Sequence, residues 1–183
     1  MSNSIRFTAT LHRPSGNDKG ALWLFLNLPH DASQKLPSRG MVAVEGAING
    51  ALFLAVAEPD GQGGHWLKVD QKLQENAGVK PRDVAELEIA PTKKDLEPDV
   101  PEDLQHALDA APQKAKDSWA STTSAARRDW VAWIVSGKKA ETRVKRVEVA
   151  ISKMTAGSRR PCCFDKSGIY SKEFSSPVAD EGC

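Results

Sequence analysis

Residues 41–57 read MVAVEGAINGALFLAVA, with two apolar runs on either side of Asn49-Gly50, and this stretch decides the fold of the N-terminal half. Asn-Gly is the strongest short-range signal for a two-residue hairpin turn, because a type I′ turn needs a positive φ at both central residues. Such a turn pairs Ile48 with Ala51. The sequence therefore predicts two antiparallel strands in a fixed register.

The register assigns the hairpin side chains to two faces. It places Gly46 opposite Phe53, where the aromatic ring can lie over the glycine. The face that we expect to be buried carries Val42, Val44, Ile48 and Phe53. Burial of this set is the test of the register.

Further short strands surround the hairpin along the sequence. Residues 5–12 alternate apolar and polar side chains, which predicts a strand with one buried face. One or two helical turns over 71–76 are expected to end at Gly78. The other predicted strands cover 21–26, 65–69 and 84–89. Six short strands with closely spaced turns favour a small antiparallel barrel over residues 1–92, since closure removes exposed strand edges.

The pattern changes after the polar, proline-flanked segment 91–98, which is predicted to be a linker. Beyond it, apolar side chains recur at helical spacing and predict a four-helix domain over residues 93–157. Residues 158–183 lack periodicity and are expected to be loop or a docked extension. The third helix carries Ala126, Trp130, Trp133 and Ile134 and stops at Gly137; the fourth carries Val144, Val147, Ile151 and Met154 and stops at Gly157. The predicted fold class is therefore α+β.

Composition excludes several classes of protein. The 183 residues have a formal net charge of +1, which excludes attachment to nucleic acid or anionic lipid by bulk charge alone. The longest apolar run, residues 21–26, is far shorter than the roughly 20 residues of a membrane-spanning helix. The first 30 residues lack the pattern of a signal peptide. We therefore expect no membrane span and a cytoplasmic location.

The three cysteines, Cys162, Cys163 and Cys183, lie in the last part of the chain. An odd, clustered number of cysteines is not a disulfide framework. Adjacent cysteines rarely both reach one tetrahedral zinc ion. The sequence therefore predicts neither a metal site nor a cofactor.

Basic side chains are concentrated in residues 127–160, where ten Lys and Arg residues accompany three acids. A basic helical hairpin is a candidate surface for phosphate or an acidic partner. The alternative is that these charges lie on solvated helix faces and pair within the chain, with Glu141 bound to Arg127 or Arg128 and Thr142 or a neighbour capping the helix. The candidate anion-binding residues are Arg127, Arg128, Arg143 and Arg146.

The same segment carries a recognisable string, in which Arg127-Arg128 precedes Trp133-Ile134 and Lys138-Lys139-Ala140-Glu141-Thr142-Arg143 opens the last helix. It resembles the C-terminal region of the YdeI/OmpD-associated family of bacteriocin-protection-like proteins. Residues 23–29, 44–53 and 61–65 resemble a small barrel domain of unknown function that often precedes it, and similar barrels resemble the double-split barrel of transition-state regulators. The resemblance implies no established catalytic residue and no cofactor. It suggests a role in envelope stress or porin-linked resistance.

A second candidate site is the loop 60–65, DGQGGH. Backbone N–H groups around Gly63 and Gly64 form a candidate phosphate cradle. The alternative is a simple turn whose glycines supply positive φ, because the loop leads into a strand and lacks the lysine of a nucleotide-binding motif. His65, beside the glycines, is the histidine that we single out as a candidate acid–base group.

The predicted function is that of a non-enzymatic cytoplasmic binding or interaction protein, linked to bacteriocin or envelope-stress resistance through the resemblance alone. No hydrolase, metalloprotease or P-loop motif occurs in the sequence. The expected partner is an anionic small molecule or a protein, bound at the seam between barrel and basic hairpin. The alternatives are a nucleic-acid-binding protein that uses the same hairpin and a small-molecule hydrolase that uses His65.

Overall fold

The computed structural model describes residues 4–18, 20–162 and 164–181, and these divide into two compact units. The first joins the residues up to Lys94 with those from Asp165 onward, and the second spans Asp95–Phe164. The first unit contains β1 (Ile5–Thr10), β2 (Leu24–Asn27), α1 (His30–Gln34), β3 (Val42–Ile48), β4 (Ala51–Pro59), β5 (His65–Val69), α2 (Gln71–Ala77) and β6 (Val84–Pro91). The second contains α3 (Glu102–Asp109), α4 (Gln113–Ser121), α5 (Ser124–Val135) and α6 (Ala140–Thr155).

The six strands pair antiparallel in the order β1-β6-β3-β4-β5-β2. A bridge between His12 and Phe25 joins the chain just after β1 to β2, so the barrel is nearly closed. Its interior is apolar, with Leu26, Val44 and Ile89 among the fully buried side chains. The predicted small antiparallel barrel and the α+β fold class are confirmed.

The β3–β4 hairpin has the predicted register. Ile48 pairs with Ala51 and Gly46 with Phe53. Asn49 and Gly50 have φ angles of 46° and 83°, as the turn requires. The Asn49 side chain also accepts a hydrogen bond from the backbone N–H of Glu86, at 2.9 Å, so the turn is tied to β6.

Gly46 is required by β6 rather than by Phe53. A Cβ atom on Gly46 would lie 1.9 Å from the carbonyl oxygen of Glu88, which no neighbouring backbone could accommodate. Val42, Val44 and Ile48 are buried as predicted, whereas Phe53 is only half-buried and packs at the margin of the core. The sequence pattern identified the glycine but not the strand that approaches it.

The helical unit has its own core, and two predictions about it need correction. Val144 is 59% exposed, because α6 turns it away from a core built on Val147, Ala150 and Met154. Trp133 is half-buried rather than central, while Trp130 beside it is fully buried. The helix α5 stops before Gly137 as predicted, with Ser136 as its C-cap, although Gly137 does not have a positive φ.

The end of the described chain docks on the barrel unit. Gly61, in the β4–β5 loop, passes so close to Phe174 that a Cβ atom there would lie 2.1 Å from its carbonyl oxygen. Gly40 similarly faces Lys166, whose Cβ atom would lie 2.9 Å from an added Cβ. The segment predicted as loop or docked extension is therefore held by specific close contacts. The helix α1 was not predicted, because its five residues are too few to show helical periodicity.

Candidate functional site

His65 begins β5 and lies completely inside the barrel unit. Its Nδ1 atom is 2.6 Å from the hydroxyl of Ser33, and its Nε2 atom is 2.9 Å from the carbonyl oxygen of Gly40. Because a carbonyl only accepts, we assign the proton to Nε2, and the Ser33 hydroxyl then donates to Nδ1. Burial lowers the pKa of His65, although its hydrogen bond to Gly40 opposes the shift. The lowered pKa favours the neutral ring, and both of its nitrogens are engaged in hydrogen bonds.

Hydrogen bonds from Arg39 also join the segments that cover His65. Arg39 donates to the carbonyl oxygens of Ser33 at 2.9 Å, Leu36 at 2.8 Å and Gly63 at 3.1 Å. These bonds hold α1 against the β4–β5 loop. A general acid or base must reach a substrate proton, and an imidazole with no exposed surface does not. The arrangement fits a structural link better than the acid–base role considered for His65.

In the glycine-rich loop, the side chain of Asp60 occupies the place where a phosphate would bind. The Asp60 carboxylate accepts hydrogen bonds from the backbone N–H groups of Gln62 and Gly64, both at 2.8 Å. Gly63 has a φ of +87°, and a Cβ on Gly64 would lie 2.4 Å from the Asp60 carboxylate. The candidate phosphate cradle is thus filled by Asp60, and the glycines serve the turn.

Two of the candidate arginines lie on α5 and bind within the helical unit. Arg127 donates to Glu97 at 2.8 Å and to the carbonyl oxygens of Trp119 at 3.0 Å and Ala120 at 2.8 Å. Arg128 donates to the carbonyl oxygen of Leu96 at 2.6 Å. These partners, from α4 and the preceding linker, replace the predicted pairing with Glu141. Glu141 instead is exposed in the first turn of α6.

The other two candidate arginines lie on α6 and are likewise engaged. Arg143 makes a two-pronged contact with Asp103 of α3, at 2.7 and 3.1 Å. Arg146 donates to the carbonyl oxygen of Trp133 at 2.6 Å and to the Ser136 hydroxyl at 2.9 Å. The predicted cap from Thr142 is wrong, since the N-cap is Lys139 and no side chain caps this helix start.

Acidic side chains of the helical unit neutralise much of the positive charge of the basic hairpin. Hydrogen bonds from Ser124 and Arg127 lower the pKa of Glu97, and a hydrogen bond from Arg143 lowers the pKa of Asp103. Both carboxylates belong to the acidic stretch that precedes the basic segment in sequence. Residues 95–164 together hold twelve basic and ten acidic side chains, so the unit is close to neutral. The +7 of residues 127–160 is mostly balanced inside the same unit.

An apolar groove that the sequence analysis did not predict lies between α3 and α6. The α6 wall includes Val147 and Ile151. The opposite wall, formed by Ala107 of α3 and by the residues that join α3 to α4, consists of small side chains that leave room for a close neighbour. One acidic side chain, Glu148, also lines the groove. The remaining lining residues are Ala110, Ala111, Pro112, Ser152, Thr155 and Ala156. The run of alanines after Leu104 was the sequence signal for this groove.

Neither a cluster of metal-ligating side chains nor a membrane-spanning helix occurs among the described residues. Within residues 4–18, 20–162 and 164–181, no three His, Cys, Asp or Glu side chains cluster as metal ligands would. Cys162 is exposed, whereas Cys163 and Cys183 lie outside the described residues. No helix among those residues is both long and apolar enough to span a bilayer.

Comparison with known families assigns both units. Residues 97–157 match the family described as bacteriocin-protection, YdeI or OmpD-associated, and residues 7–89 match a domain of unknown function, DUF1905. No curated protein gives a significant match. The two matches fall in the helical unit and in the barrel, respectively. The chain therefore combines a helical unit that matches the YdeI/OmpD-associated family with a preceding barrel that matches DUF1905.

Proposed function

We propose that this chain is a non-enzymatic interaction protein of the cytoplasm that acts in bacteriocin or envelope-stress resistance by binding a protein partner. The observation that carries the proposal is the open apolar groove between α3 and α6, which lies in the part of the chain that matches the bacteriocin-protection family. The link to resistance rests on the family description. The non-enzymatic character is supported by the burial of His65, the one acid–base group singled out from the sequence.

The groove fits an amphipathic helix of the partner. Its α6 wall runs from Val147 to Ala156, a length of about 15 Å at the helical rise of about 1.5 Å per residue, or nearly three turns. Alanines on the wall opposite α6 let another backbone approach closely, and a helix placed in a groove is a common mode of recognition. Because Glu148 is the charged residue that lines the groove, the apolar face of the partner helix should be bordered by Lys or Arg.

A charge reversal at Glu148 tests the groove in the full chain. Cells that produce the wild-type chain, Glu148→Lys or Glu141→Lys are exposed to a bacteriocin, and survival is counted. Glu141 is the matched control, because it lies on the same helix, is also exposed and does not line the groove. Protection by the wild type and Glu141→Lys, with loss of protection in Glu148→Lys, supports the proposal.

Two outcomes would contradict it. Equal protection by Glu148→Lys, with circular dichroism showing a normal fold, removes the groove from the mechanism. Lack of protection by the wild type removes the link to bacteriocins. The cytoplasmic location is tested separately by fractionation of cells that produce the full chain, and recovery in the membrane or periplasmic fraction would refute it.

A further inference from the structure

The last described residues lie along the segment after β1 in the manner of an added strand. Ala179 forms an antiparallel bridge with Pro14. The backbone N–H of Ser15 donates to the carbonyl oxygen of Val178 at 2.9 Å, and the N–H of Asp180 donates to the carbonyl oxygen of Arg13 at 2.8 Å. The Ser15 hydroxyl reaches the same Val178 carbonyl at 3.0 Å. Main-chain hydrogen bonds therefore hold this segment in place.

Apolar burial contributes little to this contact. The Val178 side chain is 73% exposed, and Ala179 offers only a methyl group. A strand held mainly by its backbone is exchangeable, because any extended peptide presents the same N–H and C=O groups. The geometry is thus that of strand addition, with the tail as the added strand.

Charge complementarity distinguishes this position from a generic strand edge. Arg13 and Arg82 line a cavity of about 470 Å³ together with Asp180 and Glu181 of the tail. The barrel side of the cavity also includes Thr10 and His12. Basic side chains of the barrel and acidic side chains of the tail therefore line the same cavity. An extended peptide with acidic residues in these two positions would meet the same arginines.

We infer that residues 13–15 and the cavity beside them form a strand-addition site for an extended acidic peptide of a protein partner, and that residues 178–181 occupy this site as an intramolecular ligand. Main-chain hydrogen bonds to residues 13–15 fix the register of the bound peptide. Arg13 and Arg82 then favour acidic side chains at the two positions that follow a small residue, as Asp180 and Glu181 follow Ala179. Because the tail is tethered, its effective concentration is high, and it lowers the apparent affinity for a peptide supplied in trans. The tail therefore acts as a built-in competitor.

The test uses the full chain and a labelled synthetic peptide with the sequence of residues 174–181. Asp180→Pro removes the N–H that donates to Arg13 and should release the tail from its site. Fluorescence anisotropy is expected to show at least about tenfold tighter peptide binding to Asp180→Pro than to the wild type, because the tethered competitor is gone. Adding Arg82→Ala should abolish this gain. Arg6→Ala should not, because Arg6 is an exposed β1 arginine that pairs with Glu88 of β6 away from the cavity.

A second released variant covers the case of misfolding, and a neutral peptide tests whether the acidic side chains are recognised. If Asp180→Pro fails to fold, the double reversal D180K/E181K replaces it, since it repels the tail from the arginines and leaves the backbone intact. A peptide with Asp180→Asn and Glu181→Gln should bind the released protein at least about tenfold more weakly than the acidic peptide. Equal peptide binding by the wild type and the released variants overturns the inference. The inference is also overturned if the peptide binds neither Asp180→Pro nor D180K/E181K, or if the released protein binds the acidic and neutral peptides with equal affinity.

Discussion

His65 and Ser33 form a completely buried hydrogen bond, with 2.6 Å between the imidazole Nδ1 and the hydroxyl oxygen. This bond joins the first residue of β5 to α1, a helix of five residues that is too short to be stable alone. The opposite nitrogen of the ring binds the carbonyl oxygen of Gly40, in the loop between α1 and β3. The histidine that the sequence offered as an acid–base group thus holds the α1 segment on the barrel.

Replacing His65 by alanine should destabilise the protein rather than abolish a reaction. The substitution leaves the Ser33 hydroxyl and the Gly40 carbonyl without their buried partner and opens a small cavity, which together should cost about 2–4 kcal/mol. Urea unfolding followed by circular dichroism measures the loss. His30→Ala is the control, since His30 is exposed. A His65→Ala chain as stable as the wild type would contradict the structural role.

The stability of the protein should depend on pH through His65. Burial holds the pKa of His65 below its ordinary value of 6.5, so the unfolded chain binds a proton in a range where the folded chain does not. The contribution is fully present above pH 6.5 and is lost as the pH falls toward the folded-state pKa, with a slope of at most about 1.4 kcal/mol per pH unit.

The comparison that isolates this effect is the wild type against His65→Gln, unfolded in urea at a series of pH values. Other groups titrate equally in both chains, including Glu58, whose pKa burial raises. The difference in stability between the two chains should therefore shrink as the pH falls below 6.5. A constant difference from about pH 8 to pH 5 would show that His65 takes up no proton on unfolding.

Local signals made the hairpin predictable, and long-range contacts explain what the sequence left out. Asn49-Gly50 dictates its own backbone conformation, so the register of β3 and β4 follows from residues adjacent in sequence. The need for glycine at position 46 comes from β6, some forty residues later. No pattern within the hairpin contains that information.

In the candidate site, too, local sequence identified the residues but not their long-range partners. Residue type identified Arg143 as a candidate, but its partner Asp103 lies 40 residues earlier on α3. The contact between Gly61 and Phe174 spans more of the chain still. A composition count detects a basic segment, whereas only the folded arrangement reveals which of its charges are already paired.

The two neighbouring tryptophans of α5 should differ in their effect on stability. Trp130 is fully buried and its Nε1 donates to the carbonyl oxygen of Arg159 at 3.0 Å, whereas Trp133 is half-buried beside the Arg146 guanidinium. Trp130→Ala should cost about 3–5 kcal/mol, and Trp133→Ala about 1–2 kcal/mol because part of its ring remains in water. Thermal unfolding of both variants provides the measurement. Equal losses would indicate that Trp133 also belongs to the core.

Nucleic acid should not bind through the basic hairpin. The four arginines that would contact phosphates donate instead to groups within the helical unit, including Glu97 and Asp103. A protein that neutralised four phosphates would lose affinity with a slope of about −3.6 in log K against log salt. We expect no such binding when the full chain is titrated against labelled duplex and single strands at about 50 mM and 200 mM salt.

Glu97→Gln combined with Asp103→Asn is the informative contrast, since it removes two of the internal anions and should create weak, salt-sensitive binding. Tight binding by the wild type with that slope, lost on replacing Arg143 and Arg146 by alanine, would restore the nucleic-acid interpretation.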